Sequence, residues 1–252
     1  MILVAGGDSF IHGNELSDWD INSPRDSLLT FTALLADQLG VEYTSCARPG
    51  NANDAILRMT VNKCEQVKRE NKSPVVIVAW TFVPRFESPF EYNTDSPDSP
   101  FATINVYENT NRQPVKDFAR HFFTNVNIDW FQHFNTVKSI LMLQTYLKAN
   151  NIPYIFTAAD NIVFSYKDDP QLQAYWDMVD FNNWYMFPAA DEPWNTTTPR
   201  GFYQWAVENK YPIGPYQHPL EQAHQDAAAL IKGKFNDMVT QSNKSNSIRN
   251  TI

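Results

Sequence analysis

The chain predicts an α/β fold built on a parallel sheet, and three observations carry that prediction. Short apolar runs, ILVA at 2–5, VVIVAW at 75–80 and YIFT at 154–157, alternate with longer stretches of helical apolar spacing. The first run stops at Gly6-Gly7-Asp8-Ser9, a tight turn signal. The run at 75–80 has no polar face and is rich in β-branched residues, as a central strand buried on both sides requires. Strands that alternate with helices join through crossovers, which makes the sheet parallel.

The elements follow in order. Ile2 to Ala5 forms the first strand and 6–9 the turn. Ser23, Pro24 and Asp26 supply an N-cap, an N1 proline and a first-turn acid for a helix carrying Leu28, Leu35 and Leu39 on one face and ending at Gly40. Val41 to Cys46 is the second strand, followed by the loop 47–51. A helix from about Asn53 to Lys68 places Ile56, Met59 and Val67 together. Val75 to Trp80, an amphipathic helix from Ile128 to Ala149, and Tyr154 to Thr157 complete the regular part, with a fifth strand expected within Met178 to Phe187. Two stretches, 84–127 and 161–214, are rich in Pro, Asn, Asp and aromatics and too long for ordinary connections. Both follow strand C-termini, where open α/β sheets bind ligands, so they are expected to form a cap. The last helix spans Pro219 to Met238. The chain is thus expected to be one domain over 1–240 with a polar tail over 241–252.

Composition narrows the function. A net charge of −8 disfavours nucleic acid or an anionic membrane surface as partner and suits a small neutral or weakly charged ligand. No segment reaches the roughly 18 apolar residues of a membrane span, and the start lacks a secretory leader, so a cytoplasmic protein is expected. Cys46 and Cys64 have neither metal-type nor disulfide-framework spacing and are expected as reduced core thiols. No metal or organic cofactor is implied. The oligomeric state is not specified.

Ser9 is presented by a turn at a strand end, and a hydroxyl there needs a base to act as a nucleophile. Of His12, His121, His133, His218 and His224, His218 stands out, because it sits in the loop GPYQHP just before a helix. His12 is close enough in sequence to line the same pocket. His121, His133 and His224 suit packed, solvated or capping roles.

These residues resemble a family. Gly7-Asp8-Ser9-Phe10 after the first strand, Gly50 with Asn51 and Asn53 after the second, and His218-Pro219 before the final helix are similar in order and setting to three motif blocks of the SGNH (GDSL-type) hydrolases. The aromatic insertions and size also resemble SGNH-like proteins encoded by tailed phages. The resemblance implies a flavodoxin-like, three-layer αβα sandwich of about five strands whose members cleave acyl or acetyl esters of lipids and sugars. Carried over by position, Ser9 is the nucleophile and His218 the general base. The amides of Ser9 and Gly50 bind the oxyanion, and Asn51 or Asn53 supports that loop.

Two positions depart from the family. The usual acid three residues before the histidine is replaced by Pro215. The usual Gly-x-Asn after the third strand reads Ala79-Trp80-Thr81, which leaves Thr81 as the nearest oxyanion donor. Losing one such donor costs about 10² to 10³ in rate, and disabling the acid up to ~10⁴. Replacement acids are Glu221, Asp160 and Glu87, each with a competing role as cap or surface charge. Asp8, His12, Trp80 and Arg85 complete the expected pocket. Arg85, next to Glu87, could hold an anionic substrate group or form an ordinary ion pair.

Trp176, Trp184, Tyr185, Phe187, Trp194, Phe202, Tyr203 and Trp205 crowd the second insertion, either as the small core of a cap or as a platform for sugar rings. The sequon Asn195-Thr196-Thr197 carries no weight here. The expected function is a serine esterase that removes an acyl group, such as acetyl, from a carbohydrate or similar small polar substrate through a Ser-His dyad or incomplete triad. The alternatives are a catalytically silent carbohydrate-binding or structural protein on the same fold, and a phospholipase.

Overall fold

The computed structural model describes residues 1–20, 25–89, 101–106, 112–188 and 199–249. β1 (Ile2–Gly6) leads into the four-residue helix α1 (Ser9–His12), then α2 (Phe31–Leu39), the short strand β2 (Glu42–Ser45), α3 (Asn53–Arg69) and β3 (Pro74–Trp80). A hairpin, β4 (Arg85–Pro89) with β5 (Phe101–Asn105), precedes α4 (Gln113–Asn125) and α5 (Asp129–Ala149). β6 (Tyr154–Ala158), α6 (Gln173–Trp176), α7 (Phe202–Glu208) and α8 (Glu221–Arg249) complete the order.

The main sheet runs β2-β1-β3-β6, and all its pairs are parallel. β1, β3 and β6 are buried along their whole length, which is why their sequences carry no polar face. Alternation along β3 divides its side chains between two cores. Val76, Val78 and Trp80 join Ile56, Met59, Ile140 and Leu143 of α3 and α5. Val75, Ile77 and Ala79 join Phe31, Leu35, Ala227 and Ile231 of α2 and α8. Helices on both faces make this the expected three-layer sandwich.

Several boundaries differ from the sequence expectation. Among the described residues the sheet has four strands where about five are expected. Between Met178 and Phe187 the chain makes a short 3₁₀ turn at Phe181–Asn183, capped by the Asp180 side chain. It then touches β6 at a single bridge, Phe156 to Trp184. Ser23 and Pro24 lie outside the described residues, and α2 begins later, at a cap in which Thr30 Oγ1 accepts from the Ala33 N–H. Leu28 therefore precedes the helix and is 66% exposed. α8 continues to Arg249, past the tail boundary expected at 240, since no Gly or Pro after Gly233 interrupts its hydrogen-bond ladder.

The insertions do different work. The first forms the β4–β5 hairpin and α4, with a small cluster of its own around Ile104, Val115 and Ala119. Glu87 fixes this hairpin to α3 by accepting from Arg58 Nε and Nη2 at 2.9 and 2.6 Å. The described part of the second builds no separate cap core. Trp176 and Trp184 enter the α3/α5 core, while Phe187, Phe202 and Trp205 enter the α2/α8 core, so the segment seals the β6 end of the sandwich. Cys46 and Cys64 are free and buried.

His224 on α8 has a structural task. Its Nδ1 accepts from the Phe31 N–H at 3.0 Å, satisfying a donor that the first turn of α2 leaves open. Burial lowers its pKa from 6.5 to about 3, so the folded protein keeps it neutral. The unfolded chain takes up this proton below pH 6.5 and the native chain does not until about pH 3, so stability falls as pH drops through that window. We expect His224→Asn, which keeps an acceptor near Phe31, to flatten the decline in denaturation midpoint between pH 7 and pH 5. Each proton accounts for about 1.4 kcal/mol per pH unit.

Candidate active site

The Ser9 turn is built by its neighbours. A Cβ on Gly7 would lie 2.4 Å from Ile11, so only glycine lets α1 fold back against the strand end. Asp8 Oδ1 accepts from the Phe10 N–H at 3.0 Å and caps α1. Ser9 then opens the helix at 8% exposure.

The loop before α8 meets this turn. His218 Nε2 lies 2.8 Å from Ser9 Oγ, and His218 Nδ1 lies 2.6 Å from Glu15 Oε2. In the tautomer that suits both contacts, Nδ1–H donates to Glu15 and Nε2 accepts from the serine hydroxyl. Glu15 is further fixed by the main-chain N–H of Tyr216, at 3.0 and 3.1 Å to its two oxygens, and by that of His218 at 3.4 Å. A Cβ on Gly214 would stand 2.7 Å from that carboxylate, so the glycine of GPYQHP makes room for it. The Gly214 N–H donates to the His218 carbonyl at 2.8 Å and closes the loop around the acid. Glu15 and Gln217 both occupy left-handed backbone, at φ of 70° and 68°, which is uncommon for non-glycine residues and is held by this surrounding structure.

Glu15 was not among the replacement acids expected from sequence, and those three are engaged elsewhere. Glu221 accepts from the Ser17 N–H at 2.7 Å. Asp160 accepts from the Ile162 N–H and from Gln204 Nε2. Glu87 pairs with Arg58. A search confined to the histidine's neighbourhood misses Glu15, which lies six residues after the serine. The available signal was an acid directly after Gly13-Asn14, where α1 ends.

The remaining expected residues sort by contact. Asn51 Nδ2 donates to the Gly7 carbonyl at 3.0 Å. Asn53 donates to the Thr81 carbonyl at 3.0 Å and accepts from the Thr81 N–H at 2.8 Å, fixing the exit of β3. Thr81 is fully buried, and its hydroxyl donates to Asp8 Oδ2, so it does not face the Ser9 pocket. Trp80 is a core residue packed edge-on against Phe156. Arg85 pairs with Asp8, at 3.3 Å, and not with the neighbouring Glu87. His12 lies outside the Ser9 pocket. Its Nδ1 pairs with Asn14 Oδ1 at 2.9 Å, its Nε2 lies 3.3 Å from Asp26, and it lines a separate cavity of about 570 Å³ with Arg48 and Lys63. His133 is buried and stacks on Tyr166, and His121 pairs with Asn125.

Ser9 and His218 open into a cavity of about 540 Å³ whose walls include Gly50, Phe82, Arg85 and Tyr203. Tyr216, 81% exposed, stands at its rim. Of the eight aromatics expected as a sugar platform, Tyr203 alone lines this cavity among the described residues. The tryptophans 176, 184 and 205 are core, and Trp194 lies outside the described residues, as does the sequon 195–197. Among the described residues no cluster of His, Cys, Asp and Glu is arranged to hold a metal ion, and no helix is long and apolar enough to cross a membrane.

No protein-family model matches the sequence, and no curated protein is similar to it in sequence. Among solved structures, the chain is similar to a psychrotrophic esterase from Pseudoalteromonas sp., with 10% identity, coverage of 95% of this chain and 97% of that one, and a TM-score of 0.46. It is similar to an acetyl xylan esterase from the rumen bacterium Butyrivibrio proteoclasticus, with 13% identity, coverage of 95% and 64%, and a TM-score of 0.49. A G-D-S-L family protein from Desulfitobacterium hafniense is similar at 10% identity, coverage of 92% and 97%, and a TM-score of 0.41.

The site's frame gives one stability expectation. Asn53→Ala strips the buried Thr81 N–H and carbonyl of their partner, and we expect it to cost about 1–3 kcal/mol in urea denaturation.

Proposed function

We propose that this protein is a serine esterase of the SGNH type, acting through a Ser9–His218–Glu15 triad on an acylated small polar substrate such as an acetylated sugar. The observation that carries this reading is the hydrogen-bonded chain from Ser9 Oγ to His218 Nε2, at 2.8 Å, and from His218 Nδ1 to Glu15, at 2.6 Å, at the wall of an open cavity.

His218 takes the Ser9 proton as Oγ attacks the acyl carbon, and the carbonyl π pair moves onto its oxygen. The main-chain N–H groups of Ser9 and Gly50, which have no partner among the described residues, donate to that oxyanion. On collapse the carbon–oxygen bond to the alcohol breaks, and His218 returns the proton to the leaving oxygen. Water, deprotonated by the same histidine, then attacks the acyl-serine, the acyl carbon–Oγ bond breaks and His218 returns the proton to Ser9 Oγ, so ester and water become alcohol and acid. Glu15 fixes the imidazole tautomer and stabilises the imidazolium. The rim and walls favour a polar carrier, since Tyr203 and Tyr216 offer aromatic faces, and Asn14 and Gln217, whose amide oxygens are paired with His12 and Tyr203, offer amide N–H groups.

A fluorophosphonate probe should label Ser9, as read by peptide mass spectrometry, and Ser9→Ala or His218→Ala should abolish the adduct. Glu15→Gln should retain the fold by circular dichroism and lower kcat on p-nitrophenyl acetate on the order of 10²- to 10⁴-fold. No adduct on folded wild-type protein would favour a silent binding protein on this fold.

A further inference from the structure

The pocket holds a cation for which the esterase reading has given no task. Arg85 follows β3 by five residues, and its Nη1 lies 3.3 Å from each of Asp8 Oδ2, Thr81 Oγ1 and the Asn51 carbonyl. These three belong to the β1 turn that carries Ser9, the β3 exit and the loop that carries Gly50. The guanidinium carbon also sits 4.7 Å from the centre of the Phe82 ring, a cation–π contact that helps hold the group in place. Nη1 is consumed by this anchoring, whereas Nη2 and Nε have no partner among the described residues. The side chain is 15% exposed and is the cation among the described residues lining the Ser9 cavity. Thr81, the side-chain hydroxyl nearest in sequence, is withdrawn by its bond to Asp8.

The geometry points to Arg85 as a catalytic residue that donates to the oxyanion formed when Ser9 attacks the acyl carbonyl, an inference that rests on the esterase reading. The negative charge created on the carbonyl oxygen needs preorganised donors, and a fixed guanidinium in a partly desolvated pocket supplies both hydrogen bonds and positive charge. Its attachment to all three loops around Ser9 means that no reorganisation is required as the charge develops. The interaction is made with the oxyanion and only weakly with the neutral ester, so it acts on kcat more than on KM.

The test compares wild type, Arg85→Gln and the double variant Asp8→Asn/Arg85→Gln on p-nitrophenyl acetate and on mono-p-nitrophenyl succinate, an ester bearing a carboxylate. The Asp8→Asn change keeps an amide oxygen for the Phe10 N–H in the α1 cap, so the double variant removes the buried ion pair as a unit, and recovery there would assign the loss to the charge stranded at Asp8. A drop in kcat of about 10²- to 10³-fold in Arg85→Gln, equal for the two esters, with KM changed only a few-fold and no recovery in the double variant, is expected. Wild-type kcat in Arg85→Gln, a loss confined to KM for the carboxylate ester, or recovery in the double variant would each overturn the inference and leave the esterase standing. A wild-type protein that neither hydrolyses the esters nor takes the fluorophosphonate label would overturn both.

Discussion

A carboxylate with no exposed surface organises this molecule's working end. Asp8 is fully buried, and a charge in that position is tolerable only if it is paired and hydrogen-bonded. Its partners are the Phe10 N–H, the Thr81 hydroxyl and the Arg85 guanidinium, which come from the β1 turn, the β3 exit and the start of the hairpin. The parallel sheet brings these strand ends together, and Asp8 then fixes their relative positions. Ser9 inherits its placement from this arrangement, because the same carboxylate that binds Thr81 and Arg85 also caps the helix that Ser9 opens.

A second carboxylate sets the histidine. Glu15 is wrapped by the loop 214–218, whose main-chain N–H groups point at it and whose Gly214 makes room for it. The left-handed backbone at Glu15 and Gln217 is a local cost that these hydrogen bonds offset. The two acids thus divide the work. Asp8 holds the frame around the serine, and Glu15 holds the His218 imidazole against it.

The aromatic insertion extends the sandwich and leaves the pocket mostly to others. Trp176 and Trp184 fill one core and Trp205 the other at the β6 end, where Trp184 packs edge-on to Phe156 at 5.7 Å, and this explains why a long, polar-looking segment carries these large rings. Among these rings, Tyr203 reaches the cavity, joined by Tyr216 from the loop that carries His218. The described wall of the cavity beside Ser9 therefore combines phenolic rings, amides and the Arg85 guanidinium with the apolar Phe10, Pro49 and Phe82.

By itself the sequence determined the four strands of the sheet, the helices α3, α5 and α8, the turn that presents Ser9 and the prominence of His218, but not the β4–β5 hairpin or α4 within 84–127. These features are local, set by the period of apolar residues and by the turn chemistry of Gly, Asp and Pro within a few positions. It did not determine where α2 starts, because Ser23-Pro24 and Thr30 are comparable caps, and the packing of Phe31 against Phe202 and His224 favours the later one. Nor did it determine that Glu15, rather than Glu221, Asp160 or Glu87, meets His218. That pairing spans 203 residues, and each acid carries the same local signature of a cap or surface charge. Only the folded chain, which pairs buried charges with groups distant in sequence, allots Glu87 to Arg58, Asp160 to Gln204, Thr81 and Arg85 to Asp8, and Glu15 to the histidine.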